Sequence, residues 1–220
     1  ILGNVLDIGQ PSDDTVTAVK LNNDVISGQT ALTAEPADTD EFLVSDAGTL
    51  KRIDYSLIKG GGITEADEWR VSATISSISN GSDYDITSNW ERNDTDFDKI
   101  GTGMSESSGI FTFASTGIYL INFTLSVYLQ SQAEEPYFKA MIFTTTDNSS
   151  YTKRTQSNNG IGNYNTFDYS TIQSSMFFDV TNVSTHKVKF ATHFNSRTGN
   201  VEGNTSSNRT SVQFIRLGDT

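Results

Sequence analysis

Residues 117–129 read GIYLINFTLSVYL, which places Tyr119, Ile121, Phe123, Leu125, Val127 and Leu129 on one parity. Apolar residues at alternate positions mark a strand with one buried face. A helix through the same stretch would mix Asn122, Ser126 and Gln130 into its apolar stripe, so the strand template fits better. The other parity is mixed: Ile118, Leu120 and Tyr128 stand among Asn122, Thr124 and Ser126. One sandwich has one core, so apolar residues on both faces of one strand predict a second buried surface.

The rest of the chain from Glu68 onward reads as β. EWRVSATI alternates Trp69, Val71, Ala73 and Ile75 with polar neighbours, and Asn80-Gly81 supplies a turn signal. Further strands are expected at Tyr137–Thr144, Tyr169–Val180, His186–Phe194 and Thr210–Leu217, with shorter pieces near Ile86, Phe97 and Phe111. That makes about eight to ten strands without a convincing helix. Strands separated by loops of Asn, Ser and Gly predict an all-β sandwich or jelly roll.

Residues 1–59 differ. Their aromatics are Phe42 and Tyr55, and their apolar residues come in short groups such as Val16/Ala18/Leu21, Val25/Ile26 and Phe42/Leu43/Val44. No group could close a core alone, which leaves a disordered acidic segment or a thin stalk buried only when several chains associate. KGGGI at 59–63 marks the boundary, because consecutive glycines resist both helix and strand. The expected division is a stalk at 1–59, a glycine hinge at 60–67 and a β domain at 68–220.

Residues 1–62 and 63–220 each carry half of the net charge of −12. Neither part offers a basic surface for nucleic acid. No apolar run approaches the ~20 residues needed to cross a bilayer, so membrane insertion is not expected. The start ILGNVLDIGQ lacks the basic and apolar regions of a signal peptide. Cysteine is absent, which removes disulfides and thiolate chemistry and favours assembly inside a cell.

Signals of catalysis are missing. His186 and His193 differ by an odd number and so point to opposite faces of one strand. GTGMSESSG at 101–109 has no helix after it to receive a phosphate and reads as a loop. Asp94, Asp96 and Asp98 alternate as in a calcium loop, but Lys99 and Ser105 stand where that loop needs Gly and Glu. A solvated strand face beside an inward Phe97 is the expectation, with weak calcium binding as the alternative. No cofactor is expected, and no enzyme.

SGIFTFASTGIYLINFTLSV, residues 108–127, resembles the hallmark of the globular heads of the complement C1q and tumour necrosis factor families. The pattern is Gly-x-Phe-Thr, a short corner, Gly-x-Tyr and a long alternating strand. Gly109, Phe111, Thr112, Gly117 and Tyr119 match it, and Phe123 continues the strand. MFFDVTNVSTHKVKFATHF is similar to the family's later strand–turn–strand, and NTSSNRTSVQFIRLG to its closing strand; the resemblance covers roughly 68–220. It implies a jelly roll that forms tight homotrimers. DDTVTAVKLNNDVISGQTAL and PADTDEFLVSDAGTLKRIDYSLI, within about 10–58, resemble segments of bacteriophage tail-fibre and related appendage proteins, which implies an extended trimeric stalk.

Together these resemblances imply a phage virion protein: a homotrimeric fibre, assembled in the host cytoplasm, on the tail or the capsid. Its first segment would meet other virion proteins, and its knob a host glycan or protein. The alternatives are a fibre or tail joint that meets no receptor, and a glycan-cleaving tailspike. Receptor contact is expected in Ser149–Ser170, SSYTKRTQSNNGIGNYNTFDYS, through Tyr151, Asn163, Tyr164, Asn165 and Phe167. Aromatic rings give rigid contact area, and small polar residues give adaptable hydrogen bonds.

Overall fold

The computed structural model describes residues 24–59, 61–94, 97–130 and 132–220. They fall into two units that meet between Gly60 and Gly61, and each is described by itself. The apolar group Val16/Ala18/Leu21 lies outside the described residues.

In the first unit, one helical turn at Asp24–Ser27 is followed by an antiparallel hairpin, β1 Glu41–Asp46 and β2 Thr49–Asp54. Ala47 and Gly48 both have positive φ, as a two-residue hairpin turn requires. Phe42 opposes Ile53 and lies 6.1 Å from the Tyr55 ring. Even so, none of the described residues of this unit is buried. Leu43 and Leu50 are 74% and 70% exposed. An isolated two-stranded hairpin is at best marginal in water, so its apolar side chains lack the burial that would hold it alone.

The second unit is a two-sheet sandwich. Its strands are β3 Ala66–Val71, β4 Ala73–Ile78, β5 Asp83–Asp85, β6 Trp90–Arg92, β7 Lys99–Ile100, β8 Ser105–Ser107, β9 Ile110–Thr112, β10 Gly117–Leu129, β11 Glu135–Thr145, β12 Thr152–Ile161, β13 Asp168–Val180, β14 Lys187–Phe194, β15 Gly199–Asn204 and β16 Ser211–Gly218. In one sheet β10 lies between β13 and β16, and β3 flanks β16 and carries β6 and β7; β15 and β4 continue beside the far end of β10. The other sheet runs β12-β11-β14-β9-β8, with β5 on β14. All pairings are antiparallel. Neighbours distant in sequence alternate between two sheets, which is the jelly-roll arrangement expected above.

The alternation of β10 holds: Tyr119 to Leu129 on one parity are all buried. Opposite them stand Phe138, Ala140 and Ile142 of β11 and Val188, Phe190 and Phe194 of β14, all fully buried. Each of the Val, Leu, Ile and Phe side chains among them contributes about 1.5–3 kcal/mol through burial. Phe111 sits at the centre, with ring centroids 5.2–5.6 Å from Trp90, Phe214, Phe190 and Trp69. Phe123 packs 4.9 Å from Phe190.

The matched motif now has a physical reading. Ser108 and Gly109, both at positive φ, make the two-residue turn that joins β8 to β9. Gly117 has φ +143, and a Cβ there would strike the Gly218 carbonyl and the Arg216 side chain. The Tyr119 hydroxyl closes the corner between β9 and β10 by bonding the Ser115 hydroxyl at 2.9 Å. Burial pushes that phenol's pKa up.

Several expectations shift. β3 begins at Ala66, so Ala66 and Asp67, assigned to the hinge, are buried strand residues. EWRVSATI is two strands, broken at Ser72, whose N–H turns to the Asn89 carbonyl. Asn80-Gly81 does turn, but it carries the chain from one sheet to the other and forms no hairpin. Asp94 follows β6 and Asp98 precedes β7, the Asp98 N–H donating to the Asn93 carbonyl, and Phe97 is 43% exposed where an inward ring was expected. Asp96 lies outside the described residues. His186 and His193 stand at opposite ends of β14 and do not meet.

Candidate functional site

Strand direction sorts the loops of the second unit into two ends. Ile118 pairs with Gly218, and Ile215 with Ala66, so Gly61 and Thr220 both lie towards the Gly117 end of β10. At the Leu129 end lie the turn at 79–82, residues 132–134 and the loops 162–167 and 195–198. We call this the distal end.

Carboxylates and backbone groups hold these loops. Glu135, fully buried, accepts hydrogen bonds from the backbone N–H groups of Asn195, Ser196 and Arg197 at 2.7–3.1 Å. The Gly81 N–H donates to the Phe194 carbonyl at 2.8 Å. In the 162–167 loop, Asp168 accepts from the Tyr164 N–H at 2.9 Å and the Asn165 N–H at 3.0 Å. The Asn165 amide, then that of Tyr164, holds the Asp168 carboxyl below the usual carboxylate range. The Tyr164 ring lies over Gly162, where any Cβ would collide with it. A loop fixed in this way needs little further ordering on contact with a ligand.

The expected recognition loop at Ser149–Ser170 is not one loop. Its middle is β12, the edge strand of its sheet. Tyr151 precedes β12 at the end opposite the distal loops, half-buried, with Lys189 Nζ 5.0 Å from its ring. Its hydroxyl is enclosed without a hydrogen-bond partner. It therefore shares no surface with the other four. Asn163, Tyr164, Asn165 and Phe167 do fall together on the distal loop. Tyr164 is 83% exposed and Phe167 45%. Phe167 leans on Tyr128 at 6.1 Å, and Tyr128 packs, tilted by 35°, against its cross-strand partner Tyr169 at 5.2 Å. Exposed aromatics thus run from the loop onto the outer face of β10 and β13. The sequence shows Tyr128 and Tyr169 but not that they are neighbours, since register alone sets them side by side.

This surface offers flat rings and amide groups, which suit stacking on a sugar face and hydrogen bonding to hydroxyls. Among the described residues no three His, Cys, Asp or Glu side chains gather as a metal site.

No family model matches the chain, and no curated protein matches its sequence. Solved structures do match its shape. Murine APRIL at pH 5.0 superposes with a TM-score of 0.50 at 11% identity, covering 70% of this chain and 98% of APRIL. Eiger TNF from S. frugiperda gives 0.45 at 10% identity, covering 72% and 96%. The PRD1 vertex protein P5 gives 0.44 at 14% identity, covering 72% and 100%. At such identities the likeness is one of fold. The APRIL superposition, with the strand order, makes this a tumour necrosis factor-like jelly roll.

Proposed function

We propose that the chain is a homotrimeric fibre of a phage virion, with a stalk, a glycine hinge and a knob that attaches to the host surface. The observation that carries this reading is the placement of the distal loop. Asn163, Tyr164, Asn165 and Phe167 stand, pre-ordered and exposed, at the end of the sandwich away from Gly61, where the chain enters. A fibre tip needs this polarity.

Two observations support self-association. The outer face of β10 and its neighbours keeps Ile118, Phe177 and Leu217 38%, 66% and 55% exposed. The hairpin of the first unit buries nothing among its described residues, as a stalk completed only by other copies would. Three knobs on one fibre turn weak single contacts into firm adsorption through effective concentration.

The test is the double variant Tyr164→Ala/Asn165→Ala on the assembled fibre. Both side chains are exposed, so melting and oligomeric mass should stay unchanged while adsorption to host cells falls. Unchanged adsorption would leave the attachment reading without its surface.

A further inference from the structure

Strand pairing gathers the distal loops. Glu135 of β11 pairs with Ile161 of β12, and Phe138 of β11 with Phe194 of β14. The loop 162–167 therefore stands beside residues 132–134, and these beside the loop 195–198. With the turn at 79–82, these segments hold two rings, Tyr164 and Phe167. Their other residues are Ser, Thr, Asn, Gln and Gly, with Ala133, Glu134 and Arg197. The Tyr164 ring rests on Gly162 and is 83% exposed. Asn163 and Asn165, both exposed, flank it along the chain. Charge at this end is uneven. Glu134, Glu135 and Asp168 are acidic, and Arg197 is basic. Asp83, next to the turn at 79–82, pairs with His193 at 2.9 Å. The distal end is thus acidic, with its rings set among amides and hydroxyls.

We propose that the distal loop takes a neutral sugar chain of the host surface, one that carries free hydroxyls and neither carboxylate nor phosphate. This rests on the attachment reading above and names its ligand. A pyranose has a face of C–H bonds and a rim of hydroxyls. The C–H face, slightly positive, suits the negative face of an aromatic ring. An amide both donates and accepts, as a hydroxyl does. Tyr164 between Asn163 and Asn165 supplies both kinds of contact, and Phe167 offers a second ring on the same loop. A protein ligand would be held through a desolvated apolar centre, within an interface of about 800 Å² on each partner. Here Ala133 is the one other apolar side chain of these loops. An acidic sugar would approach three carboxylates and one guanidinium. Within the ~8 Å over which charges act at physiological salt, repulsion exceeds attraction, so the site selects against it.

The probe is polysaccharide extracted from host cells and split by anion exchange into neutral and acidic fractions. Titrated calorimetrically, the full chain should bind the neutral fraction and not the acidic one. Tyr164→Ala, with melting unchanged, should weaken that binding about tenfold, as loss of a central contact residue does. Tyr164→Phe keeps the ring and should stay within about twofold. On whole cells, periodate, which cleaves the vicinal diols of sugars, should abolish adsorption, and protease treatment should not. A preference for the acidic fraction, equal losses for the two Tyr164 variants, or adsorption that protease alone removes would overturn the proposal. If Tyr164→Ala/Asn165→Ala still impairs adsorption in those cases, the tip attaches through another ligand and the attachment reading stands. If that double variant adsorbs like the unaltered chain, the attachment reading and this proposal fall together.

Discussion

Gly109 and Gly81 both have φ +81, and their surroundings differ. A Cβ on Gly81 meets nothing within 4 Å. A Cβ on Gly109 would strike the Ile86 carbonyl oxygen and lie 2.7 Å from Thr87 Cα. Those are backbone atoms and cannot swing aside. The same Ile86 oxygen accepts the Trp90 indole N–H at 2.8 Å, and Trp90 stands edge-on to Phe111 at 5.2 Å. Gly81→Ala should therefore cost only the left-handed backbone, about 1–2 kcal/mol. Gly109→Ala should add a loosened hydrogen bond, about 0.5–1.5 kcal/mol, and a weakened ring pair, about 0.5–1.5 kcal/mol. The total is then roughly 3 kcal/mol, a large share of the ~5–15 kcal/mol that holds a domain. Urea unfolding at one fixed chain concentration measures both variants. The two tryptophans of the chain, Trp69 and Trp90, both touch Phe111 and report the core by fluorescence. Equal losses for the two variants would refute the collision argument and leave the motif glycine with only its turn to explain it.

Arg92→Ala should destabilise the second unit by about 3–5 kcal/mol, because it leaves Asp67 buried without its cation. Asp67, 2% exposed, is held by Arg92 at 3.0 and 3.1 Å; the double variant Asp67→Ala/Arg92→Ala should recover part of the loss in the same denaturation assay. Asp168 is depressed in the folded state, so its support of the distal loop is complete above the unfolded carboxylate pKa of about 3.9. That support is lost as pH falls through the lower folded value. The Tyr164 and Asn165 amides should thus stay protected from hydrogen exchange at pH 5, and Asp168→Ala should expose them there with little change in the rest of the sheet. A peptide of residues 1–59 should show no ordered circular dichroism alone, since ~1–2 kcal/mol of backbone entropy per residue meets no buried side chain among the described residues 24–59; a folded monomer would end the stalk reading.

What was legible beforehand follows period and chemistry. β10 announced itself, because its alternation is dictated by a single core; β11 and β14, buried on both faces, showed as apolar runs between polar loops. The motif glycines were visible too, as residues only a turn or a close approach demands. β12 was hidden: TKRTQSNNGI is an edge strand that pairs with β11 through its backbone, so its side chains, mostly polar and exposed, need not alternate. Read as loop, it tied Tyr151 to Tyr164, although the strand between them carries the two to opposite ends. Short β15, GNVEGN, was missed for a similar reason. The distal cluster was half legible. Tyr164 and Asn165 stood out by composition, but the Asp168 clamp and the Tyr128–Tyr169–Phe167 run depend on which residues meet. By itself the sequence determined that the chain from Glu68 onward is an all-β sandwich in an acidic protein, because period and composition are properties of neighbours along the chain. Tertiary structure alone decided which residues share a face. Pairing register joins positions as far apart as Ala66, Leu120, Phe177 and Ile215, and a shift of one residue would turn each of them to the other side.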